Sequence, residues 1–550
     1  MPIVRETQPV RKQRRDSQPA DETRATQETL SWSQWLQSAP PLPSLPHASG
    51  YDDIITPPTT FSQQTRRRRL LFISYEFPPV GGSGVHRPVK LVKYLPEHGW
   101  NIEVFTAGHD RFCTTDETLL NELPIEVMTH HIMGYEPACV AKKLSSLVFK
   151  FKKRDERNTN SGIGTFGCSD RDFEDSLHWR LTRITQQLGL KESQALWTAP
   201  AVRAAIKRHQ KIPFDAVIST GPPHFVHCVA MQIVQATGLP WIADVRDPFV
   251  SDFDLQPLSK RHQKRMLRLE QDVLDRATAV VVTSPQFARH LRDQYPTHAK
   301  KVHTITNGFD RDDIRRAIQP NEIPHNSTDI FTFVAAGAFY GRRELSRIIE
   351  PLQRVLDRNP AWADRVQLVI AGTVDAKQRA MHEKKLPAWV SVKGYLEHAE
   401  AVRLTATASC NILVVPECQH GQMSIPGKTF ELLALPVHIL ALVPPNSDTA
   451  SIVQGAGDAT VAAFENADDV ASAMERIIAA RFDSHEHASN TTKRQWTKLD
   501  VFDRRSIAAT FAKGLNAVMR QEPSNQEPSS QESSGHEPSG QEPIEEVSQP

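Results

Sequence analysis

A glycine-rich loop, Glu76-Phe-Pro-Pro-Val-Gly-Gly-Ser-Gly-Val-His86, follows an apolar run and precedes a helical stretch. Gly81, Gly82 and Gly84 carry no side chain to hold an anion away from backbone N–H groups. The positive end of the following helix favours a phosphate at such a place. The spacing is not G-x-G-x-x-G, so the dinucleotide fingerprint is absent. A tight strand-to-helix turn also needs glycine for its own geometry, and the loop alone does not choose between the two roles. Two further residues could move a proton or orient an acceptor: His224, in Ser219-Thr-Gly-Pro-Pro-His224, and Asp247, in Ala243-Asp-Val-Arg-Asp-Pro248. A histidine after two prolines can equally be structural or exposed.

These loops need a scaffold, and the text around them supplies one. Short apolar runs alternate with helical stretches, the pattern of β-α-β units and a parallel sheet. The first unit reads as a strand over 70–75, a loop over 76–86, a helix from about Arg87 to His98 stopped by Gly99, and a strand over 102–106. Further strands are predicted at 216–219, 241–244 and 279–283, each followed by a loop rich in Gly, Pro, Asp or Ser. A second series is predicted at 331–336, 366–371, 390–393, 410–415 and 439–443. The expected fold is α/β, with two Rossmann-like doubly wound domains over 68–318 and 329–520 joined by a linker at 319–328. Such domains face each other across a cleft at their strand carboxyl ends, where ligands bind.

The chain resembles the family 4 glycosyltransferases of the GT-B fold, and the likeness rests on motifs in a fixed order. Ser74 to Gly84 resembles their opening loop, and the segments ending at His224 and Pro248 resemble later loops of the first domain. Ile305-Thr-Asn-Gly-Phe-Asp310 resembles the interdomain I-P-N-G-F-D, and Gly337-Ala-Phe-Tyr-Gly-Arg-Arg343 resembles G-T-F-Y-G-G-R. Gly394-Tyr395 and Ile425-Pro-Gly-Lys-Thr-Phe-Glu431 match the donor-side motifs, so the similarity spans about residues 68 to 500.

The resemblance implies sugar transfer from a nucleotide-sugar donor to a glycan or lipid-linked acceptor, with retention of configuration and without a metal or cofactor. Donor-binding residues would be Gly81, Gly82, Gly84, Arg342, Arg343, Gly394, Tyr395, Lys428 and Glu431, with His224 and Asp247 near the chemistry. Arg343 and Lys428 would offset the diphosphate charge, and Arg342 stands where the family has glycine. Glu431 would accept hydrogen bonds from the ribose hydroxyls. Two departures stand out. The family places an acidic residue eight positions before Glu431, here Met423, with Glu417, Gln419 and Gln422 as nearby substitutes. The turn usually written G-x-P reads Pro436-Val-His438. A nucleotide-sugar epimerase and a non-catalytic binding or scaffold protein are the alternative readings.

Composition bounds the remainder. Lys+Arg at 65 against Asp+Glu at 64 leaves a formal charge of +1, which points to neither a nucleic-acid binder nor a trap for acidic substrates. Residues 1–67 are a basic, polar tail and 521–550 an acidic tail with a recurring Q-E-P-S motif; both are expected to be disordered. Six scattered cysteines without C-x-x-C spacing suggest reduced thiols, and neither a signal peptide nor a spanning helix is read. The expected location is cytoplasmic. Basic and apolar residues mingle over 142–154, a candidate peripheral contact with an anionic inner membrane face or a solvated insertion.

Overall fold

The computed structural model describes residues 31–38, 67–82, 84–108, 115–133, 197–250, 259–318, 329–375, 378, 386–482 and 494–520. In the first sheet, β1 (Arg68–Ser74), β2 (Trp100–Ala107), β3 (Met128–Ile132), β4 (Ala216–Gly221), β5 (Trp241–Val245), β6 (Ala279–Val282) and β7 (Val302–Thr304) lie in the order β3-β2-β1-β4-β5-β6-β7. In the second, β8 (Phe331–Ala336), β9 (Val366–Ala371), β10 (Val390–Gly394), β11 (Cys410–Val414), β12 (His438–Leu442) and β13 (Ala459–Ala462) lie in the order β10-β9-β8-β11-β12-β13. The ladders within both sheets are parallel. Each order reverses once, between β1 and β4 and between β8 and β11, and a ligand crevice opens at such a switch point. This is the two-domain doubly wound architecture that the sequence predicts.

The helices among the described residues are α1 (Trp32–Gln37), α2 (His86–Tyr94), α3 (Thr198–Lys211), α4 (Phe225–Thr237), α5 (Lys260–Arg276), α6 (Pro285–Gln294), α7 (Arg311–Ala317), α8 (Ser346–Arg358), α9 (His398–Ala406), α10 (Gln419–Met423), α11 (Gly427–Leu433), α12 (Asp448–Ala456), α13 (Ala467–Phe482) and α14 (Arg504–Val518). They cover both faces of the sheets, so central strands are apolar throughout rather than alternating; β4 is buried at every position. Two core layers flank the first sheet, one containing Leu71, Ile73, Val217 and Trp241, the other Leu70, Phe72, Ile218 and Ile242. After α2 a 3₁₀ turn over Leu95–His98 ends on Gly99 at φ 83°, the stop predicted for that helix.

Two elements depart from what composition predicts. Within the polar 1–67 tail, α1 docks on the body of the protein with Trp35 and Leu36 buried, because tertiary contacts stabilise a helix too short to persist alone. The last helix, α14, lies in the range assigned to the second domain but packs Ile507, Phe511 and Leu515 into the core of the first. The chain therefore passes between the domains twice. The linker at 319–328, the basic stretch at 142–154, the 521–550 tail and the rest of the first tail lie outside the described residues. Among the described residues no helix is long and apolar enough to cross a membrane.

Candidate active site at the two switch points

The glycine loop leaves β1 and enters α2 beside the first switch point. Gly82 sits at φ +113°, a conformation that a Cβ opposes, and no side chain caps the start of α2. Arg246, just past β5, ties this loop to the one after β4. Its guanidinium donates to the carbonyl of Gly84, to Gly221 O at 3.1 Å and to Pro222 O at 2.6 Å. Glu76 lies beside it, its carboxyl pushed up by burial and held back in part by the Arg246 charge. Arg87 on α2 grips Asp244 at 2.8 and 3.0 Å and donates to Ile305 O and Thr306 O, fixing α2 to the segment that leaves the domain.

His224 and Asp247, singled out from the sequence, meet at the ends of β4 and β5. His224 is buried, with its ring stacked on Phe249 at 4.1 Å, and its Nδ1 has no partner among the described residues. Burial pushes its pKa down to about 4 against the pull of Asp247, so the imidazole is neutral near pH 7. A third group arrives from the other domain. His420 of α10, also buried, places Nε2 3.9 Å from Asp247 Oδ1. No motif in the sequence pointed to His420.

On the second domain, Gly337 follows β8 and adopts φ +136°. Lys428 Nζ donates to Ala336 O at 2.7 Å, and a Cβ on Gly337 would stand 2.6 Å from that nitrogen, so glycine is what admits the lysine. Burial, then the neighbouring Arg343, push the Lys428 pKa down to about 7. The Arg343 guanidinium lies 5.4 Å from the centroid of Tyr340, and Arg342 has a buried Nε without a partner among the described residues. Glu431 stands three residues beyond Lys428 on α11, hence on the same face. His398 Nε2 reaches Glu431 Oε1 at 3.1 Å. Burial opposes both charges, but the pair outweighs it: Glu431 is held down at about 2 and His398 raised to about 9. Across the cleft, the His86 ring lies 4.9 Å from that of His398, and burial together with this cationic neighbour lowers His86 to about 4.

The remaining expected residues lie at the margin of this group. Gly394 O accepts from Gly372 N at 2.6 Å, and Tyr395 is 59% exposed, at the rim rather than inside. Met423, in the place of the family's acid, packs against the first-domain core, and its carbonyl accepts from Ser284 Oγ. The nearby polar residues Glu417, Gln419 and Gln422 line a cavity of about 410 Å³ with Cys418, Pro444, Pro445 and Asn446. His438 of the altered turn bonds Asp458 at 2.8 Å and Thr460 at 2.9 Å, a structural use. Glu122, Asp310 and Asp313 bring carboxylates within 4.8 Å of one another. The Lys90 ammonium fills that cluster, 2.8 Å from Asp310 and 2.6 Å from Asp313.

Residues 81–308 match the family model of the glycosyl transferase 4-like domain. No curated protein sequence matches the chain. Among solved structures, the fold is similar to sucrose-phosphate synthase from Thermosynechococcus elongatus, with 16% identity, TM-score 0.52, and 82% of this chain and 99% of that one covered. It is similar to HepE of Anabaena, solved with UDP and glucose, at 12% identity, TM-score 0.51, and coverage of 82% and 99%. An alpha,alpha-trehalose-phosphate synthase (UDP-forming) from Burkholderia vietnamiensis gives 12% identity, TM-score 0.50, and coverage of 82% and 100%. With the motifs, the doubled switch-point architecture and the matched domain together, the chain is a glycosyltransferase of the GT-B type whose first domain is glycosyl transferase 4-like.

Proposed function

We propose that the protein transfers a sugar from a nucleotide-sugar donor, held mainly by the second domain, to a glycan or lipid-linked acceptor on the first. The observation that carries this reading is the pairing of Lys428 and Glu431 on one face of α11, with Arg343 beside the first and His398 holding the second ionised. Lys428 and Arg343 offset the diphosphate charge while an ionised Glu431 accepts from the ribose hydroxyls. That cation set suits a transferase that works without a metal. The glycine loop locked by Arg246 offers backbone N–H groups from the opposite wall. The solved complex of HepE with UDP and glucose supports a nucleoside diphosphate sugar as the donor class.

In this reading His224, Asp247 and His420 orient the acceptor hydroxyl, and the leaving diphosphate takes its proton in a retaining transfer. Incubation with radiolabelled UDP-, GDP- and ADP-sugars and a pool of lipid and oligosaccharide acceptors tests the reading, with the anomeric configuration of the product read by NMR. Labelled product with the donor's configuration is expected. The packing of Met423 away from the acid's usual role favours a second reading, a donor-binding protein without transfer. Donor binding with no product across the acceptor pool selects that one.

A further inference from the structure

The described part of the N-terminal tail docks where the two interdomain passages run side by side. The chain leaves the first domain through Phe309 and α7, and returns through Trp496–Phe502 into α14. The passages are bonded to each other: Phe309 N donates to Phe502 O at 3.0 Å, and Arg504 N donates to Phe309 O at 2.8 Å. Trp35 is fully buried against both. Its ring lies 5.6 Å from Phe309 on the outgoing passage and 5.1 Å from Trp496 on the return. The Arg311 guanidinium sits 4.3 Å above it, and the Trp35 indole Nε1 donates to Asp500 Oδ1 at 2.8 Å. Arg311 in turn pairs with Asp500 and donates to Ser38 O at 2.8 Å. Arg315 donates to Leu36 O at 2.8 Å.

The same segment touches the donor side. Trp32 Nε1 donates to Ala434 O at 2.9 Å, at the end of the helix that carries Lys428 and Glu431. A six-residue helix has little stability of its own, and its capping box of Ser31 and Gln34 is local. Its place is therefore set by the two indoles and by the arginines that hold its carbonyls.

We propose that residues 31–38 are a staple across the interdomain hinge, and that Trp35 is a positioning residue that holds the two passages in the register from which the cleft closes for transfer. The kinetic part rests on the transferase reading; the structural part does not. The test compares full-length wild type, Trp35→Ala and Trp35→Phe by amide hydrogen exchange, thermal unfolding, and steady-state kinetics on the donor that the wild type uses. In Trp35→Ala, exchange over 309–317 and 496–503 should quicken about tenfold while β1, β4, β8 and β11 keep their protection. Turnover should fall about tenfold with donor KM within about twofold, because the donor site stays built while closure is less populated. Trp35→Phe keeps a ring under Arg311 and should recover most of the turnover. Unchanged exchange at the passages, or an equal rise in the sheets, overturns the staple. Loosened passages with unaltered turnover overturn the positioning role. A wild type that turns over no donor sinks the transferase reading instead, and the exchange contrast still decides the staple.

Discussion

If Lys428 pairs with the donor diphosphate as proposed, donor binding weakens as pH rises. Its ammonium is pushed down to about 7 by burial and by Arg343, from the ordinary 10.5. Only the protonated form pairs with a diphosphate, so the apparent Kd for the donor should rise about tenfold between pH 6 and pH 8, or about 1.4 kcal/mol. His398 at about 9, Glu431 at about 2, and His86 and His224 at about 4 titrate outside that interval. Glu270 and Asp503 titrate inside it, at about 7, and the Lys428→Met variant separates their effect. Titration calorimetry at pH 6, 7 and 8, in buffers of different ionisation enthalpy, should show proton uptake approaching about one per donor at pH 8. The folded pKa lies below the unfolded one, so between about 7 and 10.5 the unfolded chain binds more protons, and this lysine makes folding more favourable as pH rises. Lys428→Met should bind donor weakly, without the slope in Kd or the matching slope in stability. A Kd that stays flat from pH 6 to 8, or a slope that survives in Lys428→Met, refutes the reasoning.

His398→Gln keeps a hydrogen-bond donor but removes the cation beside Glu431. The pair's contribution is fully present between about pH 4.5 and 6.5, and is lost as pH falls through about 2 or rises through about 9. With side chains 26% and 35% exposed, it is worth about 1–2 kcal/mol after solvent screening. Urea unfolding should show that loss at pH 6 and little difference from wild type at pH 10. Arg246→Met strips donors from the carbonyls of Gly84, Gly221 and Pro222 and should cost about 3 kcal/mol in the same assay. Arg246→Lys should recover little, since one ammonium cannot reproduce the fork. A loss under about 1 kcal/mol in Arg246→Met would mean that the two loops are held by other contacts.

The central strands could be read from the sequence because burial on both faces writes them as unbroken apolar runs, as in β4, β8 and β11. The edges of the first sheet could not: β3 reads Met-Thr-His-His-Ile and is half exposed, and β7 is the three residues Val-His-Thr. Helix α1 was hidden for a different reason. Trp32, Trp35 and Leu36 stand alone in a polar tail, and only their partners at Phe309, Trp496 and Ala434 give them a place. In the site, Lys428 and Glu431 could be paired from the sequence because one helix fixes their spacing. His398, His420 and Arg246 could not, since loops from separate strands bring them to Glu431, Asp247 and Gly84. Arg246 stands inside the Ala243–Pro248 motif, between Asp244 and Asp247, yet its three carbonyl partners lie on two other loops.

The most direct test of the account is calorimetric titration of the full-length protein with a panel of UDP-, GDP- and ADP-sugars, repeated on Lys428→Ala and Glu431→Ala. Both side chains extend from α11 on the proposed donor face, and neither belongs to the core clusters. Saturable binding of one donor by the wild type, lost in both folded variants, is the predicted result; a donor that binds wild type and both variants alike would contradict the claim that the second domain holds it through this helix.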